Sequence, residues 1–152
     1  MEDAEFKELI RHSRRVEYEI MKYYRENVDP KTRLSLVNKK EYDIVCPKVG
    51  NVEVKEDKLA SKTGFYALET EDREGKPSGI SVTTAGEFVL VDETNVLRMK
   101  TVSLFFLIDR CQNKKLLQMG FTDKEGKRAW GYLIPTKEFV FSPYVEVIKR
   151  WF

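Results

Sequence analysis

The chain has 152 residues, room for one domain of ordinary size, and its 27 Lys and Arg against 25 Asp and Glu leave a net charge of only +2, so any nucleic-acid surface has to be local. With 41% hydrophobic and 12% aromatic residues a core can be filled, which excludes disorder as the default, while the longest apolar run, Val102 to Ile108, is broken by Ser103 and falls far short of the roughly 20 residues that span a bilayer. Two cysteines without CxxC spacing, Cys46 and Cys111, and one histidine, His12, exclude a disulfide framework, a thiolate zinc site and chemistry built on paired histidines, leaving carboxylates and lysines to carry any catalysis.

The polar, acidic start from Met1 to Phe6 lacks the form of a secretory signal and predicts a cytoplasmic protein with no membrane partner. From Ala4 to about Arg25, Phe6, Leu9, Ile10, Val16, Ile20, Tyr23 and Tyr24 recur at steps of three and four, which predicts an amphipathic helix that stops near Asp29-Pro30. Two strand-like runs follow, Tyr42 to Cys46 and Val52 to Lys55, joined by Pro47-Lys48-Val49-Gly50-Asn51 as a hairpin. Gly64 to Thr70 reads as a third strand, Ser81 to Gly86 as a turn or short helix capped by Thr83 or Thr84, and Phe88 to Asp92 as a buried strand. Lys100 to Cys111 reads as a second helix, Trp130 to Ile134 as a strand, and Tyr144 to Phe152 as a last helix. The order predicts one α/β or α+β domain, a central mixed sheet flanked by helices.

Alternation along the hairpin puts Glu53 and Lys55 on one side and Val52 and Val54 on the other, with the valines toward the core. Asp43, ten positions before Glu53, folds back beside it through the turn. Two carboxylates then share a surface with an ammonium. Carboxylate oxygens suit Mg²⁺, which takes one or two of them and keeps waters and phosphate oxygens, and a lysine beside the ion can orient water or stabilise charge on a phosphoryl centre. Taken alone, the triplet reads first as a solvated face with a weak cross-strand ion pair, in a chain that is 34% charged.

Asp43 with Glu53-Val54-Lys55, after an acidic first helix, resembles the core of the PD-(D/E)XK nuclease superfamily. The series Val52-Glu53-Val54-Lys55-Glu56-Asp57, Lys62-Thr63-Gly64-Phe65-Tyr66-Ala67-Leu68-Glu69, Ser78-Gly79-Ile80 with Thr84-Ala85, and Gly131-Tyr132-Leu133-Ile134-Pro135 is similar to a phage-associated branch of it. The resemblance covers about residues 41 to 135. It implies a restriction-endonuclease-like core, Mg²⁺ or Mn²⁺ held by Asp43 and Glu53, a further ligand from the Val54 carbonyl, Lys55 in the catalytic step, and DNA as substrate in a viral host's cytoplasm. Tyr42 stands where the motif has proline, and Phe65 where relatives often have Asn.

Family members commonly add a carboxylate from the first helix, and Glu17 and Glu19 are the candidates. Glu17, three residues before Ile20 and four before Met21, lies on or beside the packing stripe, whereas Glu19 is rotated about 200° from it, so Glu17 is preferred to Glu19, with an edge-of-stripe glutamate whose carboxylate is in water as the alternative. Glu69, Ser61 and Thr63 read as structural ahead of functional, and His12 as a partly buried structural residue. Lys62 is a phosphate candidate in the turn after the catalytic strand, against the usual exposed loop lysine. Between Arg110 and Arg128 six basic residues, among them Lys114, Lys115, Lys127 and Arg128, face two acidic ones, a local +4 that suits a phosphate backbone, while Phe121 and Trp130 read as core.

These readings together predict a metal-dependent deoxyribonuclease, with RNA and a homodimeric state left open. The alternative is a catalytically inactive nucleic-acid-binding or protein-interaction module on the same fold.

Overall fold

A computed structural model describes residues 3–35, 42–72, 74–113, 118–122 and 128–152. The first helix, α1 (Asp3–Asn27), is followed by β1 (Arg33–Leu34), β2 (Ile44–Val45) and β3 (Val52–Glu56). A short helix α2 (Ala60–Thr63) leads into β4 (Phe65–Glu71), and then come β5 (Glu87–Val91), β6 (Asn95–Lys100) and α3 (Thr101–Asn113). The chain closes with β7 (Gln118–Thr122), β8 (Arg128–Pro135), α4 (Thr136–Val140) and β9 (Val145–Lys149). Six strands form a mixed sheet in the order β1-β2-β3-β5-β6-β9, in which β3 and β5 are parallel and the other neighbours antiparallel. A second sheet has the order β4-β8-β7.

The central sheet is covered on both faces, and β5 records this in its sequence: all five residues of Glu-Phe-Val-Leu-Val are buried. Val89 and Val91 join Val52, Ile44 and the α1 residues Val16, Ile20, Met21 and Tyr24 in one apolar cluster. Phe88 and Leu90 join Tyr66, Leu68, Ile134 and the α3 residues Leu104, Leu107, Ile108 and Cys111 in another. An unbroken apolar run is the signature of such a strand, buried on both sides. The result is one α+β domain in layers: α1, the six-stranded sheet, then α3 with the small sheet.

Glu87 begins β5 on the α1 side, where its carboxylate accepts the Tyr24 hydroxyl at 2.7 Å and the Arg98 Nε at 2.7 Å. Arg98 also reaches Glu146 of β9 at 3.5 Å and lies over the Tyr24 ring. Burial, then the Glu87 charge, pushes the Tyr24 hydroxyl pKa up, so the phenol stays protonated and donates.

Three sequence expectations are corrected. The last predicted helix, Tyr144 to Phe152, is strand β9, paired with β6 in the register Val96↔Ile148 and Met99↔Val145. Val145, Ile148 and Phe152 suit either period in so short a run, but β-branched Val145, Val147 and Ile148 favour the strand, and the open edge of β6 supplies the hydrogen bonds. Of the turn and the short helix expected from Ser81 to Gly86, the helix is overturned: the segment follows a single 3₁₀ turn at Gly79–Ser81, and Thr83 accepts the Ala85 amide at 3.3 Å instead of capping a helix. Trp130, read as core, is 39% exposed on β8.

The hairpin turn is built from left-handed residues, Gly50 at φ 76° and Asn51 at φ 71°, with the Asn51 side chain accepting the Cys46 amide at 3.1 Å. Gly86 lies against this turn: its amide donates to the Gly50 carbonyl at 2.7 Å, and an added Cβ would meet the Val49 oxygen at 2.0 Å. That contact joins the hairpin to the start of β5. Gly86→Ala is therefore expected to cost about 2 kcal/mol or more, because backbone, not a flexible side chain, has to move. Urea unfolding that gave an unchanged midpoint would show that the turn has room to shift.

Candidate active site

Asp43 enters β2, and its backbone amide donates to the Val52 carbonyl at 2.9 Å. The pairing Ile44↔Val52 places Asp43 next to Glu53 across the hairpin. Its side chain turns along the edge of β3, where Oδ2 accepts the Val54 amide at 2.8 Å. That bond orients one carboxylate oxygen along the edge of β3.

The Asp43 carboxyl is pushed up to about 6, above its ordinary 3.8. Burial is the main cause; the Val54 N–H pulls it back down, the Glu17 charge raises it and the Arg14 charge lowers it. Glu17 thus acts on Asp43 from α1, and Arg14, one turn earlier, donates Nη1 to the Glu17 carboxylate at 3.0 Å. Glu19 pairs instead with Lys22 at 4.0 Å.

Glu53 and Lys55 occupy the opposite face of β3 from α1. Their register neighbours on β5 are Phe88 and Leu90, in the cluster on the α3 side, whereas Val54 neighbours Val89 on the α1 side. Both side chains are half-buried, and the Oε2 atom of Glu53 is shielded from solvent. Asp43, at the end of its strand, is thus the register neighbour of Glu53, while the charges that act on its carboxyl come from Glu17 and Arg14 on α1.

Other candidates fall elsewhere. Lys62 is exposed on α2, where Ser61 reaches Glu93 at 3.5 Å and Thr63 bonds to the backbone of Phe65 at 3.2 Å. Glu69 accepts the Ser78 hydroxyl at 2.9 Å, a structural link between β4 and the following turn. Arg128 begins β8, opposite Thr122. Lys114, Lys115 and Lys127 lie outside the described residues, as do the side chains of His12, Phe121 and Arg128. Arg14 was missed from sequence, although its i,i+3 spacing to Glu17 was available as a signal.

Among the described residues no three His, Cys, Asp or Glu side chains come close enough together to hold a metal ion by themselves. Mg²⁺ asks for less: one or two carboxylates, with water and substrate phosphate completing its shell. Hard oxygen donors on adjacent strands, at a position where burial opposes negative charge, fit that smaller requirement. No helix among the described residues is long and apolar enough to cross a membrane. No protein-family model matches the chain, and no curated protein matches its sequence.

Proposed function

We propose that this chain is a metal-dependent nuclease that hydrolyses phosphodiester bonds in DNA. The observation that carries the reading is the Asp43 carboxyl, half-buried, oriented by the Val54 amide, acted on by the Glu17 charge, and next in register to Glu53. An anionic pocket repels a phosphate on its own, so its acidic groups need a cation before they serve phosphate chemistry. Asp43 and Glu53 would hold Mg²⁺ or Mn²⁺, with the Val54 carbonyl and Glu17 as further oxygen donors. Bound there, the ion would polarise water and neutralise phosphate charge. The protein's own part is to orient Asp43 through the Val54 N–H, to keep Glu53 half-buried, and to present the Lys55 ammonium to negative charge developing on the phosphoryl oxygens.

Labelled DNA incubated with the protein in Mg²⁺, Mn²⁺ or EDTA tests the reading. Cleavage that needs the ion and is lost in Asp43→Ala and Glu53→Ala is expected; equal rates in wild type and both variants would sink it.

The basic segment between Arg110 and Arg128 is proposed to hold the DNA backbone. Removing Lys114 and Lys115 together should weaken binding at moderate salt and flatten the log–log salt slope by about two units, one per lost phosphate contact. Single-turnover cleavage at saturating protein should stay nearly intact. An unchanged slope would remove this segment from the binding face, and salt-sensitive binding without cleavage in any metal would favour the inactive binding module.

A further inference from the structure

Val16 and Ile20 of α1 are buried in one apolar cluster with Ile44 and Val52, the chain neighbours of Asp43 and Glu53. This packing holds Glu17, next to Val16, against the hairpin. Arg14, one turn earlier on the helix, donates Nη1 to the Glu17 Oε2 atom at 3.0 Å. After burial and the Val54 amide, the groups that act on the Asp43 carboxyl are these two: the Glu17 charge raises it and the Arg14 charge lowers it. Arg15, the next residue, is exposed too, but two positions from Glu17 it faces another side of the helix.

The two partners differ in exposure. The Glu17 side chain is 14% exposed and the Arg14 side chain 47%. Letting go of Glu17 returns the guanidinium to water that already reaches it, so this cation can leave at small cost, as in exposed helical pairs generally. A divalent ion brings twice the charge to the same oxygens. Arg14 and the ion are thus alternative partners of one carboxylate. A guanidinium released one helical turn from the ion is suited to a phosphate, whose oxygens it can hold in a planar, two-pronged contact.

We propose that Arg14 is the exchangeable counter-ion of the site: it pairs with Glu17 until a divalent metal takes that carboxylate, and then turns to a phosphate of the DNA. The inference rests on the metal site of the nuclease reading and adds a residue that couples ion binding to substrate binding.

Mn²⁺ titration of the full chain without DNA tests the exchange, read by electron paramagnetic resonance at about 0.1 M salt, where charges more than about 10 Å apart are largely screened. Arg14→Gln should bind Mn²⁺ at least about threefold more tightly than wild type. Arg15→Gln, which removes an equal charge from the same turn, should leave the affinity nearly unchanged, and Arg14→Gln should bring no gain in a Glu17→Gln background. DNA binding by fluorescence anisotropy, in EDTA and in Ca²⁺, a hard ion that takes the same oxygen ligands, tests the phosphate contact. Arg14→Gln should weaken binding in Ca²⁺, with a salt slope flatter by about one unit, and leave it unchanged in EDTA. Mn²⁺ bound by wild type and no more tightly by Arg14→Gln, a gain that Arg15→Gln reproduces, or an equal loss of DNA affinity with and without Ca²⁺ would overturn the proposal and leave the nuclease reading standing. Failure of wild type and every variant to bind Mn²⁺ would overturn both.

Discussion

Lys55→Ala is expected to lower cleavage of DNA by about 10²- to 10⁴-fold, the range in which one charged group aimed at a developing charge contributes to a transition state. The fold should survive, because the side chain is half-buried on β3 beside Glu53 and outside both apolar clusters. The loss should lie in the single-turnover rate and leave DNA affinity nearly unchanged, the reverse of the pattern expected for Lys114 and Lys115. A Lys55→Ala variant that cleaves at the wild-type rate in Mg²⁺ would mean that the lysine only packs against the sheet.

Asp43→Asn is expected to stabilise the protein near neutral pH while removing its activity. The Asp43 carboxyl is at about 6 in the folded chain and at its ordinary 3.8 when exposed, mainly because it is buried. Between those values the folded state binds the proton more tightly than the unfolded state. The carboxyl therefore contributes stability that is fully present below pH about 4 and is lost as pH rises through about 6. Two units correspond to about 3 kcal/mol as an upper figure. Asn does not ionise, and its side-chain oxygen still accepts the Val54 amide, so the variant escapes this loss. In EDTA, urea unfolding at pH 4 should find the two proteins similar, and at pH 7 should find Asp43→Asn more stable by about 2 kcal/mol. Groups elsewhere cancel in the difference. A gap that does not change between pH 4 and pH 7 would show that Asp43 titrates normally. Stability given up for an ionised carboxyl is the pattern expected of a functional group.

Much of this arrangement was legible before the structure. The stripe of Val16, Ile20 and Tyr24 marked the packing face of α1, and Gly50-Asn51 marked a turn that only left-handed residues form without strain. Together they place Asp43 next to Glu53 and turn Glu17 toward the sheet. The rest depended on long-range partners that periodicity does not carry. Tyr144 to Phe152 fits a helix until β6 offers an edge, and β6 itself carries Arg98, whose charge is accounted for only once Glu87 and Glu146 stand beside it. The strands Gly64 to Thr70 and Trp130 to Ile134 were read correctly as strands, yet they pair with each other in a second sheet outside the central one. Nothing local encodes that choice of partner. The site shows the same division: Asp43, Glu53 and Lys55 were named from the motif series they resemble, since spacing alone favoured a solvated face, whereas Arg14 became visible only through its contact with Glu17.

The most direct measurement is an anomalous difference map from crystals soaked in Mn²⁺. Density touching the carboxylates of Asp43 and Glu53, and lost in Asp43→Asn crystals soaked in the same way, is the expected result. At saturating Mn²⁺, a map with no peak at those two side chains, or with its peaks only elsewhere on the molecule, would contradict the metal site on which the proposed reaction depends.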